Sequence, residues 1–281
     1  MTQPLPVWRH LGAVLQRCVA HAWCAVLLDY DGTLAPLVAD PATVCLSPAM
    51  RQVLTLLVQH PHVQVAIMSG RTLADLQAHV DGQVPYLAGN HGLEMAGPQA
   101  IYCHPAARRL RPELAAVAQS LQYHLRAHAG VWVEDKGLTL TVHVREVPPA
   151  CRRVVQEQIV HLLRPALETR QFALRTGTAV LEVRPRVQWD KGEAVRWLVE
   201  RMCEERPATR PLVLYMGDDE TDEDAFRAVR REGLGIVVGE DRLFSAAHYA
   251  VASVEQTTQF LAVLSGLTWP HVPRVAHAML A

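Results

Sequence analysis

Apolar and polar positions follow two distinct textures along this chain. In the first, a short uninterrupted apolar run ends in a polar turn, and residues apolar at helical spacing follow. Cys24 to Leu28, Val63 to Met68, Tyr86 to Gly89, Leu212 to Met216 and Leu234 to Val238 are such runs, with a weaker one over His248 to Ala252. Runs this short, without alternation, predict strands covered on both faces by helices. The helices are predicted over about 48–59, 72–80, 191–204 and 254–264, with a further one ending at Arg231. The first is the best marked: Ser47 is an N-cap, Pro48 takes the first helical position, and Met50, Val53, Leu54 and Leu57 repeat at helical spacing.

The second texture begins near residue 106. After a predicted helix over 113–128, Leu138, Leu140, Val142 and Val144 fall on one face of an extended segment. Thr139, Thr141, His143 and Arg145 fall on the other, and Glu134 and Lys136 stand just before, also two apart. This is the period of a half-exposed antiparallel sheet. Pro148-Pro149 breaks it, a helix runs to about Leu163, and Phe172 to Arg184 forms a second pair of strands around Thr176-Gly177. A helix and two strands, occurring twice, predict a small α+β cap over 106–185. The cap is set into an α/β core with a doubly wound parallel sheet, formed by 1–105 and 186–281. The Pro-rich tail from Trp269 is expected to pack loosely.

Composition narrows the function. A formal charge of −1 with mixed signs leaves no broad basic field for nucleic acid or anionic lipid. The six cysteines contain no Cys-x-x-Cys pair and read as reduced core residues of a cytoplasmic protein. The longest uncharged stretch near the start, Cys18 to Leu28, is too short to span a bilayer, so no membrane association is expected.

Ligands of open parallel sheets bind at the carboxyl ends of strands, and the unusual residues collect there. Asp29 and Asp31 end one strand, Ser69-Gly70 another, and Asp218-Asp219 a third, while Lys191 opens a helix. Asp29 and Asp31 alone fit a hydrated strand exit equally well; the set as a whole suits phosphoryl transfer. Converging carboxylates repel unless a cation neutralises them, and hard oxygen donors favour Mg²⁺. Asp29, ionised at neutral pH, could attack phosphorus, and Asp31 could protonate the leaving alkoxide and later activate water. Ser69 and the Gly70 amide would donate to phosphoryl oxygens, with Lys191 balancing their charge.

Asp29-Tyr30-Asp31-Gly32-Thr33, Ser69-Gly70-Arg71, Lys191-Gly192 and Gly217-Asp218-Asp219-Glu220-Thr221-Asp222, in this order, resemble the four motifs of the haloacid dehalogenase superfamily. The resemblance implies Asp29 as nucleophile, Asp31 as general acid and base, and Mg²⁺ on Asp29, the Asp31 carbonyl and Asp218, supported by Asp219 and Asp222. With Gly89-Asn90-His91-Gly92-Leu93-Glu94 and Leu181-Glu182-Val183-Arg184-Pro185, the chain further resembles trehalose-6-phosphate phosphatases. That implies a sugar phosphate substrate held by Glu134, Lys136 and Glu182, with Asn90 and His91 beside it, and a functional link to a trehalose-6-phosphate synthase. Thr178 stands where members of the family often have Lys, which bears on the exact sugar, and two alternatives stand beside this reading. One is another sugar phosphate, such as sucrose phosphate or a glucosyl- or mannosyl-glycerate phosphate; the other is an inactive sugar-phosphate sensor that regulates a synthase. Two readings also stand for His91, which either bonds its own loop or touches substrate, and for His143 and Arg145, which either touch substrate or support the sheet.

Overall fold

The computed structural model describes residues 2–38, 43–177, 179–239 and 244–269. In chain order its elements are β1 (Leu5–Pro6), α1 (Leu11–Val19), β2 (Cys24–Asp29), α2 (Pro48–Gln59), β3 (Val63–Met68), α3 (Leu73–His79) and β4 (Tyr86–Gly89). A hairpin of β5 (Glu94–Gly97) and β6 (Ala100–Cys103) follows, then α4 (Pro105–Arg109), α5 (Arg111–Leu125), β7 (Trp132–Asp135), β8 (Leu140–His143), α6 (Pro149–Glu168), β9 (Phe172–Gly177) and β10 (Val180–Pro185). The chain closes with α7 (Lys191–Glu205), β11 (Leu212–Gly217), α8 (Asp222–Val229), β12 (Leu234–Val238), β13 (Tyr249–Val251) and α9 (Val254–Ser265). Two compact units result: Met1–Met68 with Ala78–Leu87 and Asp190–Ala281, and Ser69–Gln77 with Ala88–Trp189.

In the first unit the strands lie in the order β1, β13, β12, β11, β2, β3, and every one of these pairs is parallel. All six residues of β2 are buried, as its unbroken apolar run requires. The register sets Leu28 beside Met216 and Asp29 beside Met68, so β11, β2 and β3 end side by side. Helix α2 starts as its sequence predicts: Ser47 Oγ accepts from the Met50 amide at 3.1 Å, and Met50, Val53, Leu54 and Leu57 are buried. The N-terminal α1, which buries Val14 and Cys18, was not expected from the sequence. Trp269 corrects the expectation of a loose tail from that residue: its indole stacks on His62 and donates to the His21 carbonyl at 2.9 Å. The expected core cysteines also divide, Cys18 and Cys24 being buried but Cys45 and Cys151 exposed.

In the second unit, an antiparallel sheet has the order β7, β8, β10, β9. Its apolar face, including Leu140, Val142, Phe172, Leu181 and Val183, packs with Leu114, Leu121 and Leu125 of α5 and Val155, Ile159 and Leu163 of α6. The twice-repeated helix and strand pair is present as α5-β7-β8 and α6-β9-β10. The period-two pattern marked this sheet because one face is apolar and the other polar, although Thr139 and Thr141 on the polar face are buried rather than half-exposed. Strand β9 runs through Gly177, one residue past the expected turn centre, and Thr178 lies outside the described residues.

Candidate active site

In the first unit, the ends of β2 and β11 deliver a cluster of carboxylates. Asp29, the last residue of β2, is only 5% exposed. The chain then turns tightly: the amides of Leu34 and Ala35 donate to the Tyr30 carbonyl, and the Gly32 amide to the Ala35 carbonyl. Gly32 is required twice over, by its φ of +85° and because a Cβ there would lie 2.1 Å from Asp218 Oδ2. Half-buried Asp31 bridges to Ala35 at the start of this turn.

Lys191, at the start of α7, is 3% exposed, and its Nζ donates to Asp29 Oδ1 and Asp222 Oδ1, each at 2.6 Å. Asp222 Oδ1 also accepts from the Tyr215 hydroxyl at 2.6 Å, while its Oδ2 accepts the amides of Asp218 and Asp219 at 3.0 and 2.9 Å. These four bonds fill both Asp222 oxygens, so Asp222 orients the cluster and has no lone pair to spare for a cation. Asp219 Oδ1 accepts from the amides of Thr221 and Asp222 and from the Thr221 hydroxyl, which makes it the stay of the turn leading into α8.

The charges do not balance. Burial raises the Asp29 carboxyl well above its ordinary value; Lys191 opposes this, and Asp222, Asp218 and Asp219 reinforce it. Burial works against the charge on Lys191, but Asp222 and Asp29 outweigh it and hold the ammonium firmly protonated. Asp29, Asp218 and Asp222 each place a carboxylate oxygen within 4.8 Å of the others. With Asp222 committed to its four hydrogen bonds, Asp29 and Asp218 are the acidic oxygen donors of this group that fit a hard divalent cation.

In the second unit, Ser69, Gly70 and Arg71 form a turn held from several sides. The Ser69 amide donates to the Ala88 carbonyl, the His91 amide to the Ser69 carbonyl, and the Asn90 amide to the Arg71 carbonyl. Ser69 Oγ accepts from the Arg71 amide at 3.1 Å, and Arg71 pairs with Asp75 at 3.0 Å. Asn90 and His91 are both left-handed, with φ of 48° and 56°. Their strain is held by Asn90, wholly buried, whose amide group donates to Glu94 Oε1 and the Lys136 carbonyl and accepts from the Thr139 hydroxyl. Asn90 thus spends its polar groups on the scaffold. The His91 ring packs against Gly70 so closely that a Cβ there would lie 2.7 Å from it.

The polar face of the four-stranded sheet continues from this turn. Lys136 Nζ donates to the Gly70 carbonyl at 3.1 Å and lies 3.7 Å from Glu134. Glu182 is flanked by Arg184, 2.5 Å away, and by His91 Nε2 at 3.3 Å. Burial would raise its carboxyl, but His91, Arg184 and Lys136 together hold it far below the ordinary carboxylate range. Burial acts likewise on Glu134, where a bond from His143 and the charge of Lys136 prevail and lower the carboxyl.

Residues 27–256 match the family model for trehalose-phosphatase. The chain belongs to the trehalose-phosphatase family. It is 33% identical over 246 residues to a probable trehalose-phosphate phosphatase 4 of Oryza sativa subsp. japonica, covering 84% of this chain and 64% of that protein. It is 37% identical over 243 residues to a trehalose-phosphate phosphatase of Mycobacterium marinum, covering 84% and 60%. The chain thus spans less than two thirds of the length of these relatives. The solved C-terminal domain of the C. albicans trehalose-6-phosphate phosphatase superposes with a TM-score of 0.77 at 25% identity, covering 95% of this chain and 99% of that one.

Every candidate site residue named from the sequence lies inside the span matched by the trehalose-phosphatase model. Tyr215, Arg184 and His143 were not assigned partners from the sequence, yet they orient Asp222, Glu182 and Glu134. A compositional signal marks the cations: of 27 Lys and Arg residues only Lys136 and Lys191 are lysine. A compact ammonium, able to sit between two oxygens, is what these places require and a planar guanidinium does not supply.

Proposed function

We propose that the chain hydrolyses trehalose 6-phosphate to trehalose and inorganic phosphate. The observation that carries this reading is the buried Asp29 at the end of β2, bridged by Lys191 to Asp222, in a member of the trehalose-phosphatase family. An Asp29 oxygen attacks phosphorus, the bond to the sugar oxygen breaks, and Asp31 gives its proton to that oxygen. Asp31 then takes a proton from water, whose oxygen attacks the aspartyl phosphate and restores Asp29. The Ser69 hydroxyl and the Gly70 amide would donate to phosphoryl oxygens. Mg²⁺, held by Asp29, the Asp31 carbonyl and Asp218, would clamp phosphoryl oxygens and neutralise the acids. Lys191 aims Asp29 and opposes its protonation.

Glu134, Lys136 and Glu182 read the sugar hydroxyls, with His91 setting Glu182 and Asn90 holding the turn beneath them. A donor and acceptor set already fixed by ion pairs is what hydroxyl recognition demands. The substrate couples the chain functionally to a trehalose-6-phosphate synthase. Six free thiols fit a reducing cytoplasm, and no described helix is long and apolar enough to cross a membrane.

Phosphate release from a panel of sugar phosphates, with Mg²⁺ and with chelator, tests the reading. Trehalose 6-phosphate is expected to be turned over best and only with the metal; equal turnover of sucrose phosphate or glucosylglycerate phosphate would overturn the substrate. Asp29→Asn is expected to lose on the order of 10⁴-fold or more in kcat. Appreciable residual turnover would exclude the covalent route and leave the acids a purely electrostatic role.

A further inference from the structure

The strand register sets side chains of the polar sheet face in rows. Trp132 lies opposite His143, His143 opposite Val180, and Val180 opposite Gly177. The adjacent row holds Glu134, Thr141, Glu182 and Arg175. Two residues, about 7 Å at the rise of a strand, separate the rows. Two residues further along the same side stands Lys136, whose Nζ reaches the Gly70 carbonyl at 3.1 Å. Gly70, Lys136, Glu134 and Trp132 therefore form a line that begins at the phosphate turn and ends at an indole.

That indole differs from its surroundings. Trp132 is 45% exposed, although the rows beside it carry mainly charged and hydroxyl groups. Its ring is parallel to the His143 imidazole, with 3.8 Å between centroids and 1° between planes. His143 Nε2 in turn donates to Glu134 Oε2 at 2.9 Å, and the His143 side chain is nearly buried. One indole face is thus backed by an imidazole that a carboxylate holds, and the exposure belongs to the rest of the ring. Exposed apolar area of this size gains nothing from water. A fixed aromatic surface beside a fixed carboxylate is a pair suited to a pyranose, whose ring has an apolar C–H face and a hydroxyl edge.

We propose that Trp132 is a stacking platform for a second pyranose ring, the one that does not carry the phosphate, and that His143 positions both the indole and Glu134. This rests on the sugar-phosphate reading above and extends it. The line from Gly70 acts as a ruler: a monosaccharide phosphate seated at the turn fills the places near Lys136 and Glu182, whereas a disaccharide phosphate extends to Trp132. Trp132 thereby discriminates by substrate length.

The test is steady-state kinetics of the full chain, Trp132→Ala, Trp132→Phe and His143→Gln on trehalose 6-phosphate, glucose 6-phosphate and p-nitrophenyl phosphate. In Trp132→Ala the kcat/KM ratio of trehalose 6-phosphate to glucose 6-phosphate is expected to fall about threefold to tenfold, mainly through KM, as an aromatic contact implies. Trp132→Phe is expected to restore most of it. His143→Gln, which keeps a donor for Glu134 but removes the supporting ring, is expected to raise KM with little change in kcat. On the Asp29→Asn background, trehalose 6-phosphate is expected to change indole emission, and adding Trp132→Phe should remove that change. Equal losses on all three substrates, an unchanged ratio, or an emission change that survives Trp132→Phe would overturn the platform while leaving the phosphatase reading intact. A wild-type chain that cleaves p-nitrophenyl phosphate but not trehalose 6-phosphate would remove the reading and the platform together.

Discussion

The acids at the strand ends of the first unit and the polar sheet face of the second are both crowded with charge, yet they solve the problem in opposite ways. Around Asp29, one ammonium is shared among carboxylates of like sign, and burial with mutual repulsion drives Asp29 toward its neutral form. Around Glu182, His91, Arg184 and Lys136 all oppose the burial penalty, so the carboxyl is ionised more easily than in water. The first arrangement leaves negative charge that a further cation would offset. The second is self-sufficient and presents fixed hydrogen-bonding groups. A reaction centre gains from the former and a recognition surface from the latter.

Lys191 should break this contrast most severely. Replacing it with Met leaves Asp29 and Asp222 buried without their shared cation, a loss expected to cost about 3–5 kcal/mol in stability and to abolish turnover. Thermal melts and phosphate release measure the two. Lys191→Arg restores charge but places a planar fork where one nitrogen now stands 2.6 Å from two carboxylate oxygens. It is expected to recover much of the stability and little of the activity. Full activity in the arginine variant would show that charge alone, without compact geometry, suffices.

How each region showed itself in the sequence follows from the same physics. Strand β2 was legible because an uninterrupted buried run ending in Asp29 has few structural explanations, and α2 because Ser47 and Pro48 mark its start. The alternation from Leu138 to Val144 revealed a one-sided sheet, but not which polar residues meet across it, since register lies in the pairing of distant strands. His143 reaches Glu134 only through the pairing of β7 with β8. Arg184 and His91 meet across 93 positions. Asp219 was legible as an acid but not as the residue that ties its own turn. Helix α1 escaped notice because its buried positions, Val14 and Cys18, form only a narrow stripe.

Glu182 and Glu134 sharpen the comparison within the second unit. Glu182→Gln leaves Arg184 without its ion partner at a side chain only 12% exposed, and kcat/KM for trehalose 6-phosphate is expected to fall about 10- to 100-fold. Glu134, 34% exposed, is expected to show a smaller loss on the same substitution. Equal or reversed losses would separate sugar recognition from the degree of burial.

Acidification should move the two regions in opposite directions. Glu182 has a folded pKa below its ordinary 4.5, so its stabilising contribution is complete above that pH and disappears only as pH falls on toward the folded value. Asp29 has a folded pKa above its ordinary 3.8; its burden is present at neutral pH and is relieved as pH falls toward that value. In chelator, the melting temperature of Asp29→Asn is expected to exceed that of wild type at pH 7 by roughly 2–4 °C, on the order of 1 kcal/mol, and the gap should close toward pH 4. The deficit of Glu182→Gln should hold steady over that span and shrink only below pH 4.5. Saturating Mg²⁺ should erase the first gap and leave the second. Parallel pH profiles for both variants would mean that the two charge patterns do not differ in kind.

The smallest effect belongs to an ion pair that shares the second unit but not its burial. Arg153 and Glu157 stand one turn apart on α6 at 3.7 Å, with side chains 86% and 64% exposed. Solvent screens such a pair, so Glu157→Ala is expected to shift stability by less than about 0.5 kcal/mol, with no change in kcat/KM. Glu182 and Arg184 make the same kind of contact under a covered surface. A loss at Glu157 comparable to that at Glu182 would mean that the unit responds to charge as such. A near-zero result, beside a large one at Glu182, assigns the difference to the removal of water from the sheet face.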